Sequence, residues 1–81
     1  MNTLINITYN GLSGNYFAQL EPGIDDTTLK RFCAEALRSG EVSGIAATPV
    51  EDQAFTNYVV DRFHGELTRF VLRPKVPFGA A

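Results

Sequence analysis

A single cysteine, Cys33, a single histidine, His64, and no tryptophan occur in this chain of 81 residues. One cysteine cannot close an internal disulfide. A reducing compartment follows as the simplest expectation, and with it a cytoplasmic location. One cysteine and one histidine cannot supply the usual ligand set of a zinc site, so no metal is expected. No apolar run approaches the roughly 20 residues needed to span a bilayer. Residues 1–9 alternate polar and apolar side chains and carry no basic residue, unlike a signal or transit peptide. Charge of one sign is also missing: the net charge is −2, which argues against a dominant electrostatic pull toward nucleic acid while leaving room for a local basic patch. A phosphate-binding loop is absent too. Gly11 and Gly14 precede a strand rather than a helix, and no lysine follows at the required spacing. No cofactor is expected.

Hydrophobic residues make up 44% of the chain, enough for one modest core and too many for a disordered segment. No repeat or linker interrupts it, so a single domain over residues 1–73 with an extended tail over 74–81 is expected. Residues 4–9 alternate with period two: Ile5, Ile7 and Tyr9 share one face, Asn6 and Thr8 the other. The glycines of residues 10–15 suit a hairpin loop that needs positive φ. Residues 16–21 read as the returning strand, with Tyr16, Ala18 and Leu20 inward, and Pro22-Gly23 stops it.

The helix follows. Asp25 or Asp26 can accept the first free backbone N–H groups. Leu29, Phe32, Cys33, Ala36 and Leu37 then fall at i, i+3, i+4, i+7 and i+8, a single apolar stripe. Phe32 is its largest side chain, and Phe32→Ala is expected among the worst substitutions. Ser39-Gly40 ends the helix, with Gly40 as the left-handed cap. Residues 41–53 suggest an irregular crossover with a short strand at 45–47. Residues 55–63 read as the third strand, His64-Gly65-Glu66 as a tight turn and residues 67–73 as the last strand. A three-residue loop would put Asp61 opposite Arg69 and gather Tyr58, Val60, Phe70 and Leu72 on one face. A two-residue loop would pair Val59 with Phe70. The first register is preferred because it matches charges and gathers apolar residues.

The order β-β-α-β-β allows one helix to cover one face of a four-stranded mixed sheet, with first and last strands parallel neighbours. That α+β arrangement is the β-grasp. Leu20-Glu21-Pro22-Gly23-Ile24-Asp25-Asp26, running into Thr27-Thr28-Leu29-Lys30-Arg31-Phe32, resembles the end of the first hairpin and the helix start of the ubiquitin-like superfamily. Phe70-Val71-Leu72-Arg73 resembles its final strand. The resemblance covers about half the chain and implies the fold and, for many members, partner binding through the sheet. It departs in two places. Only His64-Gly65-Glu66 separates the third and last strands, where ubiquitin has a longer stretch. The last residues, Pro77-Phe78-Gly79-Ala80-Ala81, lack the paired glycines that conjugated and sulfur-carrying members thread into an activating enzyme.

Cys33 lies on the apolar stripe, where a small buried hydrophobe is the expected role; a nucleophile would need a lowered pKa and a nearby base. His64 reads as a solvated turn residue, Asp25-Asp26 as capping acids and Glu51-Asp52 as a solvated pair. No catalytic residue is expected. The basic residues Arg62, Arg69, Arg73 and Lys75 gather in the last hairpin and tail. Alternation places Leu67, Arg69, Val71 and Arg73 on one strand face, either an ordinary solvated surface or a partner site. In the tail, Val76 and Phe78 offer apolar anchors for a partner beside Lys75, or Phe78 could fold back onto the body. The reading is a non-catalytic protein-interaction module binding an unknown protein through Leu67, Arg69, Val71, Arg73, Lys75 and Phe78. Two alternatives stand beside it: a modifier or sulfur carrier, and a small nucleic-acid-binding regulator using the basic hairpin.

Overall fold

The computed structural model of the chain describes residues 2–75. Two hairpins flank one helix: β1 (Asn2–Tyr9), β2 (Leu12–Gln19), α1 (Asp26–Ser39), β3 (Tyr58–Phe63) and β4 (Thr68–Pro74). The sheet order is β2-β1-β4-β3, with β1 and β4 parallel at the centre and both hairpins antiparallel. This is the β-β-α-β-β arrangement expected of the sequence. Parallel neighbours need a long connection; here β2, α1, the crossover of residues 41–57 and β3 all lie between β1 and β4.

The first hairpin is tighter than its composition suggests. Asn10 (φ 51°) and Gly11 (φ 77°) alone form the turn. Two successive left-handed residues match the right-handed twist of the flanking strands, which makes Asn-Gly a favoured two-residue hairpin. The second strand therefore starts at Leu12 rather than Tyr16, so Gly14 lies inside β2 rather than in a loop; it ends at Gln19 rather than Glu21, and β1 starts at Asn2 rather than Leu4.

The helix begins where the carboxylate of Asp25 accepts the Thr28 N–H at 3.1 Å and the Thr28 hydroxyl at 2.7 Å. These two bonds hold the Asp25 carboxyl below its ordinary pKa. It ends at Gly40, left-handed at φ 73°, whose N–H reaches the Ala36 and Leu37 carbonyls. Leu29, Cys33, Ala36 and Leu37 are buried against Ile5, Ile7, Phe70 and Leu72 of the two central strands. Phe32 sits at the rim of this layer, half-buried, its ring 5.7 Å from that of Tyr16 on edge strand β2. Ala34 is fully buried although it lies off the stripe. Its neighbours one turn away, Lys30 and Arg38, both reach the crossover: Lys30 Nζ donates to the Thr56 carbonyl at 3.2 Å and Arg38 Nη1 to the Val50 carbonyl at 2.7 Å. The returning chain thus covers a second side of the helix.

The crossover and the second hairpin correct three expectations. No strand forms at residues 45–47; the one pairing is a bridge between Ser43 and Asn15, closed by hydrogen bonds of 2.9 and 2.8 Å. The third strand begins at Tyr58, not Phe55, because consecutive turns bend residues 51–58, with N–H groups of Ala54, Thr56 and Tyr58 bonded three residues back. The turns drive Phe55 into the core at 0% exposure, its ring 5.9 Å from Tyr9 and 4.7 Å from Tyr58, both edge-on. The second hairpin pairs Asp61 with Val71 and Phe63 with Arg69, two residues out of the preferred register. A shift of two keeps every side chain on its face, so Tyr58, Val60, Phe70 and Leu72 still gather inward while the charge pairing changes. Asp61 meets Arg73 instead, at 2.7 Å. The last strand runs from Thr68 to Pro74, and Leu67 precedes it.

Candidate functional site

Strand alternation divides the sheet into a covered and an open face. Ile5, Ile7, Phe70 and Leu72 point under the helix. Leu4, Asn6, Arg69, Val71 and Arg73 point away from it, and no element of the described residues covers them.

The cross-strand register sets the open face out in rows. Phe17 stands opposite Leu4, Leu4 opposite Arg69, and Arg69 opposite Phe63, so one row crosses all four strands. Two of its members are large and exposed: Phe17 at 66% and Phe63 at 46%. Within the row, the Arg69 guanidinium lies 5.1 Å from the centroid of the Phe63 ring, an arrangement that stacks a cation on an aromatic face. No carboxylate of the described residues lies within ion-pair distance of Arg69.

Polar pairs frame the β1–β2 half of the row on both sides. On one side the Asn6 side-chain N–H groups reach Asn15 Oδ1 at 3.0 Å and the Ser13 hydroxyl and Gly14 carbonyl at 3.3 Å each. On the other, the Gln19 amide donates to Asn2 Oδ1. On the β4–β3 half the neighbouring row is Val71 and Asp61, with Arg73 holding Asp61. Fixed amides and an ion pair around an exposed apolar row give an apolar centre with a polar rim, the anatomy of a small interface.

Of the residues the sequence singled out, Arg69, Val71 and Arg73 share this face. Leu67 adjoins it at 37% exposure in the turn before β4, and Lys75 is exposed just past β4. Phe78 lies outside the described residues. Arg62 does not belong with them. It points to the helix side, where its guanidinium pairs with Asp26 and lies 4.9 Å from the Phe70 ring centroid. The cations of the hairpin are therefore split between two faces, and Arg73 is already neutralised by Asp61. Phe17, Leu4 and Phe63 were not singled out. Their signal was present: each is an apolar residue on the outward phase of its strand.

The remaining chemistry-bearing groups sit elsewhere. Cys33 is 0% exposed, and burial pushes its thiol up to about 12; a reactive thiolate needs the opposite shift. His64 is exposed in the turn after β3. Among the described residues, no three His, Cys, Asp or Glu side chains group in a metal-binding arrangement, and no helix is long and apolar enough to cross a membrane. A concavity of about 420 Å³ between α1 and the 52–56 turns is lined by Thr27, Lys30, Arg31, Asp52, Gln53 and Thr56, all polar. Its carboxylate, Asp52, is held by Arg38 at 2.8 Å.

No family model, no curated protein and no solved structure matches this chain.

Proposed function

We propose that this domain is a non-catalytic protein-interaction module, built on the β-grasp arrangement in the manner of ubiquitin-like proteins, that binds a protein partner through the open face of its sheet. The observation that carries the reading is the Phe17–Leu4–Arg69–Phe63 row. An apolar side chain standing alone on a surface is ordinary, but a contiguous row rimmed by ordered polar groups is the form that recognition surfaces take. The two central strands have both edges paired, so the face is rigid and little ordering is lost on docking. Aromatic rings and an arginine are the residue types that dominate interface energetics. The division of Arg62 from Arg69 and Arg73 weighs against a continuous phosphate-binding surface, which would draw on all of them.

The test is capture of a native partner by the full chain. Arg69→Glu with Val71→Ser is expected to abolish capture while leaving the thermal midpoint nearly unchanged, since both positions are on the outward phase of β4. Capture that survives this double variant but is lost on deletion of residues 74–81 would move the site to the tail.

A further inference from the structure

We infer that Asn10, at the tip of the first hairpin, is a site of spontaneous covalent modification: its side-chain amide is lost to the backbone nitrogen of Gly11, and the isoaspartyl product cannot keep the two-residue turn. The inference stands apart from the open face, whose row crosses β1 at Leu4, about 17 Å along the strand from Tyr9.

The first observation is access. Asn10 and Gly11 are both exposed, and among the described residues no hydrogen bond holds the Asn10 side chain. The Gly11 N–H lies in the turn itself, outside the ladder that begins at the Tyr9–Leu12 pair. Nothing stands within 4 Å of where a Gly11 Cβ would be, so neither the attacking nitrogen nor an incoming water is screened.

The second observation is contrast. The chain holds four other asparagines, and at each the fold withholds the following nitrogen. Asn2 precedes Thr3, buried and paired with both Ala18 and Thr68. Asn6 precedes Ile7, buried between Gly14 and Leu72. Asn15 precedes Tyr16, paired with Ile5, and is itself bridged to Ser43. Asn57 precedes Tyr58, whose N–H donates to the Phe55 carbonyl at 2.9 Å.

The third is the turn. The Gly11 nitrogen attacks Asn10 Cγ; a C–N bond forms, the Gly11 N–H proton passes to solvent, and the side-chain nitrogen takes up a proton and leaves as ammonia. Water then opens the five-membered imide at either carbonyl. Breaking the bond to Cγ gives an aspartate, which accepts left-handed backbone as Asn10 does at φ 51°. Breaking the bond to the backbone carbonyl carbon gives the isoaspartyl form, whose chain runs through Cβ and is one carbon longer. Turn type is set by loop length, so this form cannot close the Tyr9–Leu12 pair in the same turn. Ring closure also needs the Gly11 nitrogen swung toward the side chain, out of the left-handed geometry, so the folded tip reacts through local opening.

The test is incubation of the full chain at mildly alkaline pH, folded and in urea, followed by peptide mass spectrometry with electron-transfer fragmentation, which separates isoaspartyl from aspartyl products. In the folded chain Asn10 is expected to convert ahead of the other four asparagines, more slowly than in urea but within about a hundredfold, as a fraying tip allows. The isoaspartyl form, isolated by chromatography, should melt at least about 4 °C below Asn10→Asp, which carries the same added charge on an unlengthened backbone. Earlier conversion of another asparagine in the folded chain would overturn the site. So would conversion of Asn10 slowed beyond that hundredfold, which would tie the tip to unfolding of the whole domain. An isoaspartyl form that melts with Asn10→Asp would overturn its effect on the turn.

Discussion

Truncating Phe55 to alanine tests whether the crossover, rather than the helix stripe, supplies the central aromatic of this core. Phe55 is 0% exposed and meets two tyrosine rings edge-on, at 5.9 Å and 4.7 Å. Deleting a buried phenyl ring costs about 3–5 kcal/mol through lost transfer energy and the cavity left behind. A domain of 81 residues has a total stability on the order of 4–12 kcal/mol. Phe55→Ala should therefore lower the thermal midpoint by at least about 12 °C, or leave the chain unfolded, given about 4–8 °C per kcal/mol at this size. Phe32→Ala removes a half-buried ring packed against one edge-strand tyrosine at 5.7 Å, and should cost only about 1–2 kcal/mol. Urea titrations followed by far-ultraviolet circular dichroism and tyrosine fluorescence give both values on one scale. Phe55→Leu, which keeps most of the volume, provides the comparison if Phe55→Ala does not fold. The reasoning fails if Phe32→Ala costs as much as Phe55→Ala, or if Phe55→Leu is neutral.

Two further outcomes follow from close packing and burial. A Cβ on Gly14 would stand 2.6 Å from both the Ser43 carbonyl oxygen and Val42 Cγ1, whereas nothing lies within 4 Å of one on Gly23; Gly14→Ala should lose about 1–3 kcal/mol in a denaturation series and Gly23→Ala close to none, and equal values would mean that residues 42–45 do not lie against β2. Cys33 keeps its proton in the folded chain up to about pH 12 while the unfolded thiol ionises near its ordinary value, so stability is constant below that value and falls as pH rises toward 12; burial of Tyr16 and Tyr58 shifts both phenols the same way. Native labelling of Cys33 by a thiol reagent should be slow at pH 8 and accelerate with urea, and fast native labelling would contradict the burial.

Local patterning carried most of the architecture. The i, i+3, i+4, i+7, i+8 stripe from Leu29 to Leu37, the Asp25 cap and the Gly40 stop define α1 because a helix closes its hydrogen bonds within itself and its ends need specific partners. Period-two alternation put Ile5 and Ile7 inward and Arg69, Val71 and Arg73 outward for the same local reason: successive strand residues point to opposite faces. The element order then left few ways to cover one sheet face, and the parallel pairing of β1 and β4 followed. Tertiary structure decided what depends on contacts between distant segments. Phe55 reads as a strand residue until the 51–58 turns bend it under the sheet, and Ala34 reads as off-stripe until Lys30 and Arg38 bind the returning chain above it. The register of β3 on β4 allowed shifts of two that conserve every face, so Asp61 could meet Arg69 or Arg73 on equal local terms, and only the folded hairpin chose Arg73. That choice also left Arg69 with no carboxylate of the described residues within ion-pair distance and set it in line with Phe17, Leu4 and Phe63. The row draws one residue from each of four strands, with Leu4 and Phe17 in the first hairpin and Phe63 and Arg69 in the second, and only the pairing of β1 with β4 brings the two halves together.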